Sequence, residues 1–374
     1  MDEKSDAKAM KRAVIRADAG INIGSGHVMR CLTLADALVL EGFEICFICR
    51  PQTGDLITLI SERGYRVEAL SIQSETPDSH LAHSAWLYGG HVLDAQETQV
   101  IIDREQPTLL VVDHYGIDQR WFDALTQCPS HVIALDDLAD RKLPCDLLVD
   151  PTVGRSIDMY KHLLPAQSEA LVGAPYCLLR NEFLQWRELS LQRRQRVTDI
   201  ERIVVSLGGV DATNVTATVL TELEGSNLAS GCEIDILVGS AYPHLHGLQQ
   251  QVNQSRFTVS VAVAVTNVAE RLAHADLAIG AAGSSAWERC CLGVPTLMCV
   301  LAENQAAIAT VLENRQAAIL VHCRGSVAVG RSLQSALAHC IEQPQYLELL
   351  SQNAGNLVDG RGTVRVIEAI KGVL

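Results

Sequence analysis

Apolar positions along the chain fall in short runs rich in β-branched residues, and each run is followed by a stretch whose apolar residues recur at helical spacing. The runs "AVIRAD", "EICFICR", "TLLVVDHY", "VIALDD" and "DLLVDP" alternate with helix-like segments such as Met29 to Glu41 and Asp118 to Gln127. This alternation predicts βαβ units and a parallel sheet. A second series begins at "RIVVSLGG" and continues through "EIDILVG", "FTVSVAV", "DLAIGAAG", "PTLMCVL" and "AAILVH". Between the two series, "LLRNEFLQWRELSLQRRQRVTD" (residues 178–199) is helical in pattern, dense in Arg and Gln, and expected to be a connector. The predicted fold class is α/β, with two Rossmann-like doubly wound domains, residues 12–177 and 200–374, facing a cleft that is the default ligand site. The final "GRGTVRVIEAIKGVL" is helical in pattern, and analogy with similar folds has it cross back onto the N-terminal domain.

Length and charge narrow the function classes. The 374 residues fit two domains of roughly 150 residues each, and 48% apolar residues can fill two cores. With 44 acidic against 30 basic residues the formal charge is −14, so the chain lacks the broad cationic surface that nucleic-acid or anionic-membrane binding needs. Any bound anion must be held locally. Residues 1–11, "MDEKSDAKAMK", fit neither a secretory signal nor a membrane span and are expected to form a disordered lead-in. No apolar run approaches the roughly 18 residues of a spanning helix, so a cytoplasmic protein is expected. The twelve cysteines read as reduced core residues, because no signal precedes them and they lie in apolar strands and helices. Cys46 and Cys49 on one strand point to opposite faces, and Cys290 and Cys291 are adjacent on a helix, which suits neither pair to a metal.

The first candidate chemistry lies in "IRADAGINIGSGHVMR", residues 15–30. Asp18 and the loop 20–26 follow the first strand, where ligands of open α/β sheets sit. Gly24 and Gly26 permit a tight turn and close ligand approach, and His27 falls at the start of the next helix. A helix N-terminus disfavours positive charge, so an imidazole there is biased toward the neutral form that a general base requires. Capping or packing beneath the turn is the alternative for His27. The loop is not a dinucleotide fingerprint, because Met29 stands where Gly or Ala is needed, and it is not a P-loop, because no GK[ST] follows. "VVDHYGID" places Asp113, His114 and Tyr115 just past a strand, and Asp136, Asp137 and Asp150 end two others. Such carboxylates can bind metal or sugar hydroxyls, or simply cap turns. No HxH, HExxH or spaced Cys/His cluster supports a transition metal.

The second half carries two strand–glycine–helix turns. "VVSLGGVDATNV" has Gly208 and Gly209 before a helix expected near Thr213, and "AIGAAGSSAWERC" has Gly280 to Gly283 before a helix opened by Ser284 and Ser285. Each presents backbone N–H groups at a positive helix end, which can hold phosphate without lysine. Glu288, one turn further, can accept hydrogen bonds from ribose hydroxyls, or be a surface charge.

Together and in order, "RADAGINIGSGHVMRCLTLADAL", "VVDHYG", "DD", "LLRNEF", "SLGGVDATN", "GSSAWERCCLGVP" and "ENQ" resemble the UDP-sugar hydrolases of pseudaminic acid synthesis. Those enzymes act on UDP-2,4-diacetamido-2,4,6-trideoxy-β-L-altropyranose and are similar to the GT-B glycosyltransferases. The resemblance spans about residues 13–370. It implies that His27 is the base activating water, with Asp18, Gly24, Gly26, Asp113 and Tyr115 around the sugar. It further implies that Gly208, Gly209, Gly283, Ser284, Ser285 and Glu288 hold UDP, and that Asn304 and Gln305 reach the diphosphate or sugar. The implied reaction is inverting hydrolysis at the anomeric carbon, with a UDP-sugar as partner and neither metal nor other cofactor; oligomeric state stays open. "AAGSS" is less rich in Gly and Thr than the resemblance calls for, and Glu288 stands where some members carry Asn. A GT-B glycosyltransferase, a hydrolase of another nucleotide sugar and a non-catalytic nucleotide-sugar binding module are the alternatives.

Overall fold

In the computed structural model, which describes residues 11–74, 81–195, 199–322 and 330–374, with Asn304 described by its backbone only, the chain divides into two units. Unit 1 extends to Pro151 and adds Arg155–Leu178 and Thr363–Leu374; unit 2 comprises Thr152–Gly154 and Leu179–Gly362. The strands of unit 1 are β1 (Lys11–Ala17), β2 (Phe43–Cys49), β3 (Arg66–Ala69), β4 (Leu109–Asp113), β5 (His131–Leu135), β6 (Leu147–Asp150) and β7 (Glu169–Val172). They form one parallel sheet in the order β3-β2-β1-β4-β5-β6-β7. Unit 2 repeats the plan with β8 (Arg202–Ser206), β9 (Glu233–Val238), β10 (Thr258–Val263), β11 (Leu277–Ala281), β12 (Thr296–Cys299), β13 (Ile319–His322) and β14 (Arg331–Ser332), ordered β10-β9-β8-β11-β12-β13-β14.

The central strands β4 and β11 are buried along their whole length, as parallel strands covered on both faces require. Cys46 and Cys49 pack into cores on opposite faces of the first sheet, and no disulfide joins any of the eleven described cysteines to another. In each sheet the strand order reverses between the first strand and its fourth, at β1/β4 and at β8/β11. Crevices beyond the carboxyl ends of strands at such a switch point are where doubly wound folds bind ligands.

Several boundaries differ from the sequence expectation. Lys11 opens β1 and is no part of a lead-in; residues 1–10 lie outside the described residues. The edge strands β3, β7 and β14 have no run of apolar residues to announce them, "RVEA", "EALV" and "RS" being short or polar. The helix expected over Asp118 to Gln127 is confined to Gln119–Asp123, capped by the Asp118 carboxylate accepting the Arg120 N–H. The described part of the expected connector 178–199, residues 178–195 and 199, does not stand apart as a linker. Its helix, Asn181–Arg194, packs within unit 2, where Ser190 Oγ donates to the Leu292 carbonyl at 2.7 Å and Arg194 donates to the carbonyls of Leu272, Ala275 and Leu292. The helix Gly362–Val373 inserts Val366, Ile367 and Ile370 into the unit 1 core.

Candidate active site

The first site grows from the turn after β1. Gly24 donates its N–H to the Gly20 carbonyl at 2.7 Å and sits at φ +81°, a conformation that glycine alone adopts without strain. The helix Gly26–Leu40 starts immediately, with Ser25 at its cap and no side chain bonded there, so His27 lies in the first turn. The adjacent strand β4 ends at Asp113, and His27 Nδ1 lies 2.6 Å from Asp113 Oδ1. Arg30, one helical turn beyond His27, grips the same carboxylate with two hydrogen bonds, Nε to Oδ2 at 2.6 Å and Nη2 to Oδ1 at 2.7 Å. Its Nη1 donates to Asp137 Oδ2 at 2.6 Å, and the Tyr115 hydroxyl donates to that same oxygen at 2.5 Å.

Electrostatics fix the roles. Burial alone would raise the Asp113 carboxyl, but Arg30 and His27 outweigh it and hold the group well below the usual carboxylate range. An ionised carboxylate only accepts. The hydrogen between His27 and Asp113 therefore sits on Nδ1, so the nitrogen through which the ring can exchange a proton with a ligand is Nε2. This is the base-plus-orienter arrangement that activates nucleophiles in many unrelated enzymes. Burial, with Asp137 beside it, raises the Tyr115 phenol well above its ordinary value, so Tyr115 is a donor to Asp137. Its ring stands edge-on to His27, with centroids 4.4 Å apart.

The other strand-end carboxylates divide by environment. Asp18, expected near the sugar, is buried and its oxygens are occupied by Arg16 (2.5 and 2.9 Å) and by the Arg50 N–H (2.7 Å), with His114 Nε2 3.3 Å away. Burial would raise it, but Arg16 and His114 hold it below its ordinary range. Arg16 and Arg50 also bind the buried Asp94, so this cluster fastens β1 and β2 to the helix Gly90–Glu105. Asp136 accepts the N–H groups of Leu138 and Ala139 and, with Asp150, the Tyr160 hydroxyl, which is turn and core bonding. Only Asp137 of these joins His27, Asp113 and Tyr115. Among the described residues no cluster of three or more His, Cys, Asp or Glu side chains could hold a metal.

In unit 2 the turn after β8 places Gly208 at φ +101° with open space where a side chain would start, while the Gly209 carbonyl packs against Gly239 so closely that a Cβ there would lie 2.2 Å from it. The following helix begins at Val215, two residues later than expected. Its N-terminus is not open: the Asp211 carboxylate accepts the N–H groups of Val215 and Thr216 at 2.9 and 2.8 Å. An aspartate in that position competes with an external anion for the same donors, so the first turn offers a phosphate its glycine backbone and not its helix end. The second turn differs. The helix Ser285–Cys291 has no side chain bonded at its Ser284 cap, and Arg289 is folded beneath it, donating to Ser285 Oγ at 3.1 Å and to the Ala281 carbonyl at 2.6 Å. Gly280 serves this packing, since a Cβ there would lie 2.6 Å from Arg289 Nη1. The Gln305 amide oxygen accepts the Leu301 N–H at 3.0 Å, and its nitrogen lies beside Gly283. Glu288 is 3.6 Å from Arg180 of "LLRNEF"; burial raises its carboxyl, against the opposing charge of Arg180. Asn304 lies with Gln305 in the short turn Glu303–Gln305.

Sequence reasoning missed Arg30, Trp86 and His83, which complete the surroundings of His27. A signal existed for Arg30, because a His and an Arg three apart share a helix face. A cavity of about 290 Å³ lined by Lys11, Thr108 and His131 lies at the opposite, amino end of the first sheet and has no part in these sites.

Comparison with known proteins supports this architecture. Residues 202–360, within unit 2, match the model of the Glycosyltransferase family 28 C-terminal domain. The structure of MurG from Acinetobacter baumannii superposes with a TM-score of 0.63 at 14% identity, covering 97% of this chain and 99% of that one. The fold is that of GT-B enzymes. Among curated sequences, an uncharacterized protein of Methanocaldococcus jannaschii is 25% identical over 79% of this chain, and the match spans only 56% of that relative's length. The UDP-2,4-diacetamido-2,4,6-trideoxy-β-L-altropyranose hydrolase of Campylobacter jejuni is 27% identical over 64% of this chain and 73% of its own. No helix among the described residues is long and apolar enough to cross a membrane.

Proposed function

We propose that this protein hydrolyses the anomeric C–O bond of a UDP-sugar of the 2,4-diacetamido-2,4,6-trideoxy-β-L-altropyranose type, releasing UDP and the free sugar. The observation that carries the reading is the His27–Asp113 pair, 2.6 Å apart, with Asp113 ionised and clamped by Arg30. His27 Nε2 takes a proton from water as its oxygen attacks the anomeric carbon from the face opposite UDP, and the sugar leaves inverted. Asp113 keeps the ring in the reactive tautomer and stabilises the imidazolium that forms. UDP is an adequate leaving group at neutral pH, so backbone N–H groups that offset charge on its diphosphate suffice in place of a strong general acid. Gly208, Gly283, Ser284 and Ser285 are the groups for that task, with Gln305 and Asn304 beside the second turn and Glu288 for the ribose. The likeness to the Campylobacter hydrolase supports the substrate class.

A second reading is favoured by the match of unit 2 to the Glycosyltransferase family 28 C-terminal domain: transfer of the sugar to an acceptor hydroxyl. Incubating the protein with the UDP-sugar and no acceptor separates the two. Stoichiometric UDP and free sugar, lost in His27→Asn, supports hydrolysis. UDP release only when an acceptor is added overturns it.

A further inference from the structure

Three aromatic rings enclose one side of His27. Trp86 stacks on Tyr115 with centroids 5.6 Å apart and planes at 20°, and stands edge-on to His27 at 6.2 Å. His83 lies 4.4 Å from Trp86 and 5.4 Å from Tyr115. Tyr115 is buried, but His83 and Trp86 are half-buried on the turn that precedes and includes Ser84–Trp86, which follows β3 in the chain. A tryptophan buries some 150–250 Å² when fully covered, and one left half-open beside a reactive histidine offers a flat apolar face. Burial lowers the His83 imidazole, against an opposing pull from Asp140, so at neutral pH it adds an uncharged ring to that face.

We infer that Trp86, backed by His83 and Tyr115, is a specificity wall that selects UDP-sugars whose ring carries methyl-bearing groups, acetamido or 6-deoxy, over sugars bearing only hydroxyls. The inference rests on the reading of His27 as the base acting on a UDP-sugar. Methyl and C–H groups pack on the aromatic faces, whereas a hydroxyl turned to the same surface loses water and gains no partner. The discrimination is thus made next to the anomeric centre and independently of the nucleotide.

The test compares wild type, Trp86→Ala, Trp86→Phe and His83→Ala with two substrates, the UDP-2,4-diacetamido-2,4,6-trideoxy-β-L-altropyranose of the proposed reaction and UDP-glucose, and with UDP alone as ligand. Circular dichroism and thermal melts check that each variant is folded. The inference expects Trp86→Ala to raise KM for the methyl-bearing substrate about tenfold, to leave UDP-glucose and UDP affinity within twofold, and to be largely rescued in Trp86→Phe. An unchanged preference between the two sugars, or parallel losses for both sugars and UDP, makes the cluster ordinary packing and overturns the inference. Should wild type turn over neither sugar, the hydrolase reading fails on its own; calorimetric affinities of the same two UDP-sugars then decide the wall by the same selectivity criterion.

Discussion

The two units share a strand order and a switch point yet place opposite kinds of chemistry there. Unit 1 fills its crevice with charged side chains: Asp113 accepts from both His27 and Arg30, and Arg30 passes on to Asp137. Unit 2 offers glycine backbone and two serines, with one helix end already closed by Asp211. Side-chain ions can hold and move a proton at a defined atom, whereas backbone N–H groups stabilise a charge without titrating. The comparison teaches that the fold supplies the location and the residue types at it decide whether the location does chemistry or holds an anion.

The same contrast recurs inside unit 1. The cluster of Arg16, Asp18, Asp94 and Arg50 pairs arginines with aspartates as the His27 cluster does, and the buried His114 imidazole lies 3.3 Å from Asp18, but all four side chains are at most 1% exposed and the carboxylates bind arginines within it. It is a fastening. The His27 cluster ends in an imidazole, 6% exposed, with one nitrogen uncommitted to Asp113, and on that difference rests the role of base proposed for His27.

Substitutions can break the comparison between the units. His27→Asn should lower kcat by about 10²- to 10⁴-fold while UDP affinity, read by calorimetry, stays unchanged; a fall in UDP affinity of the same size would remove the division of labour. Asp113→Asn should lose kcat and also stability, by about 3 kcal/mol, because Arg30 loses one of its two carboxylate partners and keeps only Asp137; urea melts measure it.

Acid sharpens the same point. The folded Asp113 and Asp18 carboxyls lie below their unfolded values, so the stability they contribute is complete above the unfolded value of about 4 and is lost as pH falls below it. Urea midpoints should therefore drop between pH 5 and pH 3, and drop less in Asp113→Asn. On the unit 2 side, Gly208→Ala forces a side chain into φ +101° with open space around it. It should cost about 1–3 kcal/mol of backbone strain and weaken UDP, with kcat at saturating substrate nearly kept. The smallest effect is expected for Glu288→Gln, a loss of UDP affinity of about fivefold, on the order of 1 kcal/mol, that vanishes with 2′,3′-dideoxy-UDP.

Much of this was legible in the sequence. The β-branched runs located eleven strands, because buried parallel strands are apolar throughout; β3, β7 and β14 escaped because edge strands need no such run. The Gly24–His27 turn was readable from residue type and spacing. What could not be read was pairing across the chain: that Asp113 and not Asp18 meets His27, 86 positions away in sequence, is decided by β1 and β4 lying side by side. Nor could Asp211 be told from any other loop aspartate until the helix was seen to start at Val215.

The most direct test of the central claim is hydrolysis in ¹⁸O-labelled water with the diacetamido-trideoxy UDP-sugar, no acceptor present, and mass spectrometry of both products. The account predicts one ¹⁸O in the released sugar and none in UDP, because water activated by His27 attacks carbon. Label in UDP or UMP would mean attack at phosphorus and would contradict the role given to His27.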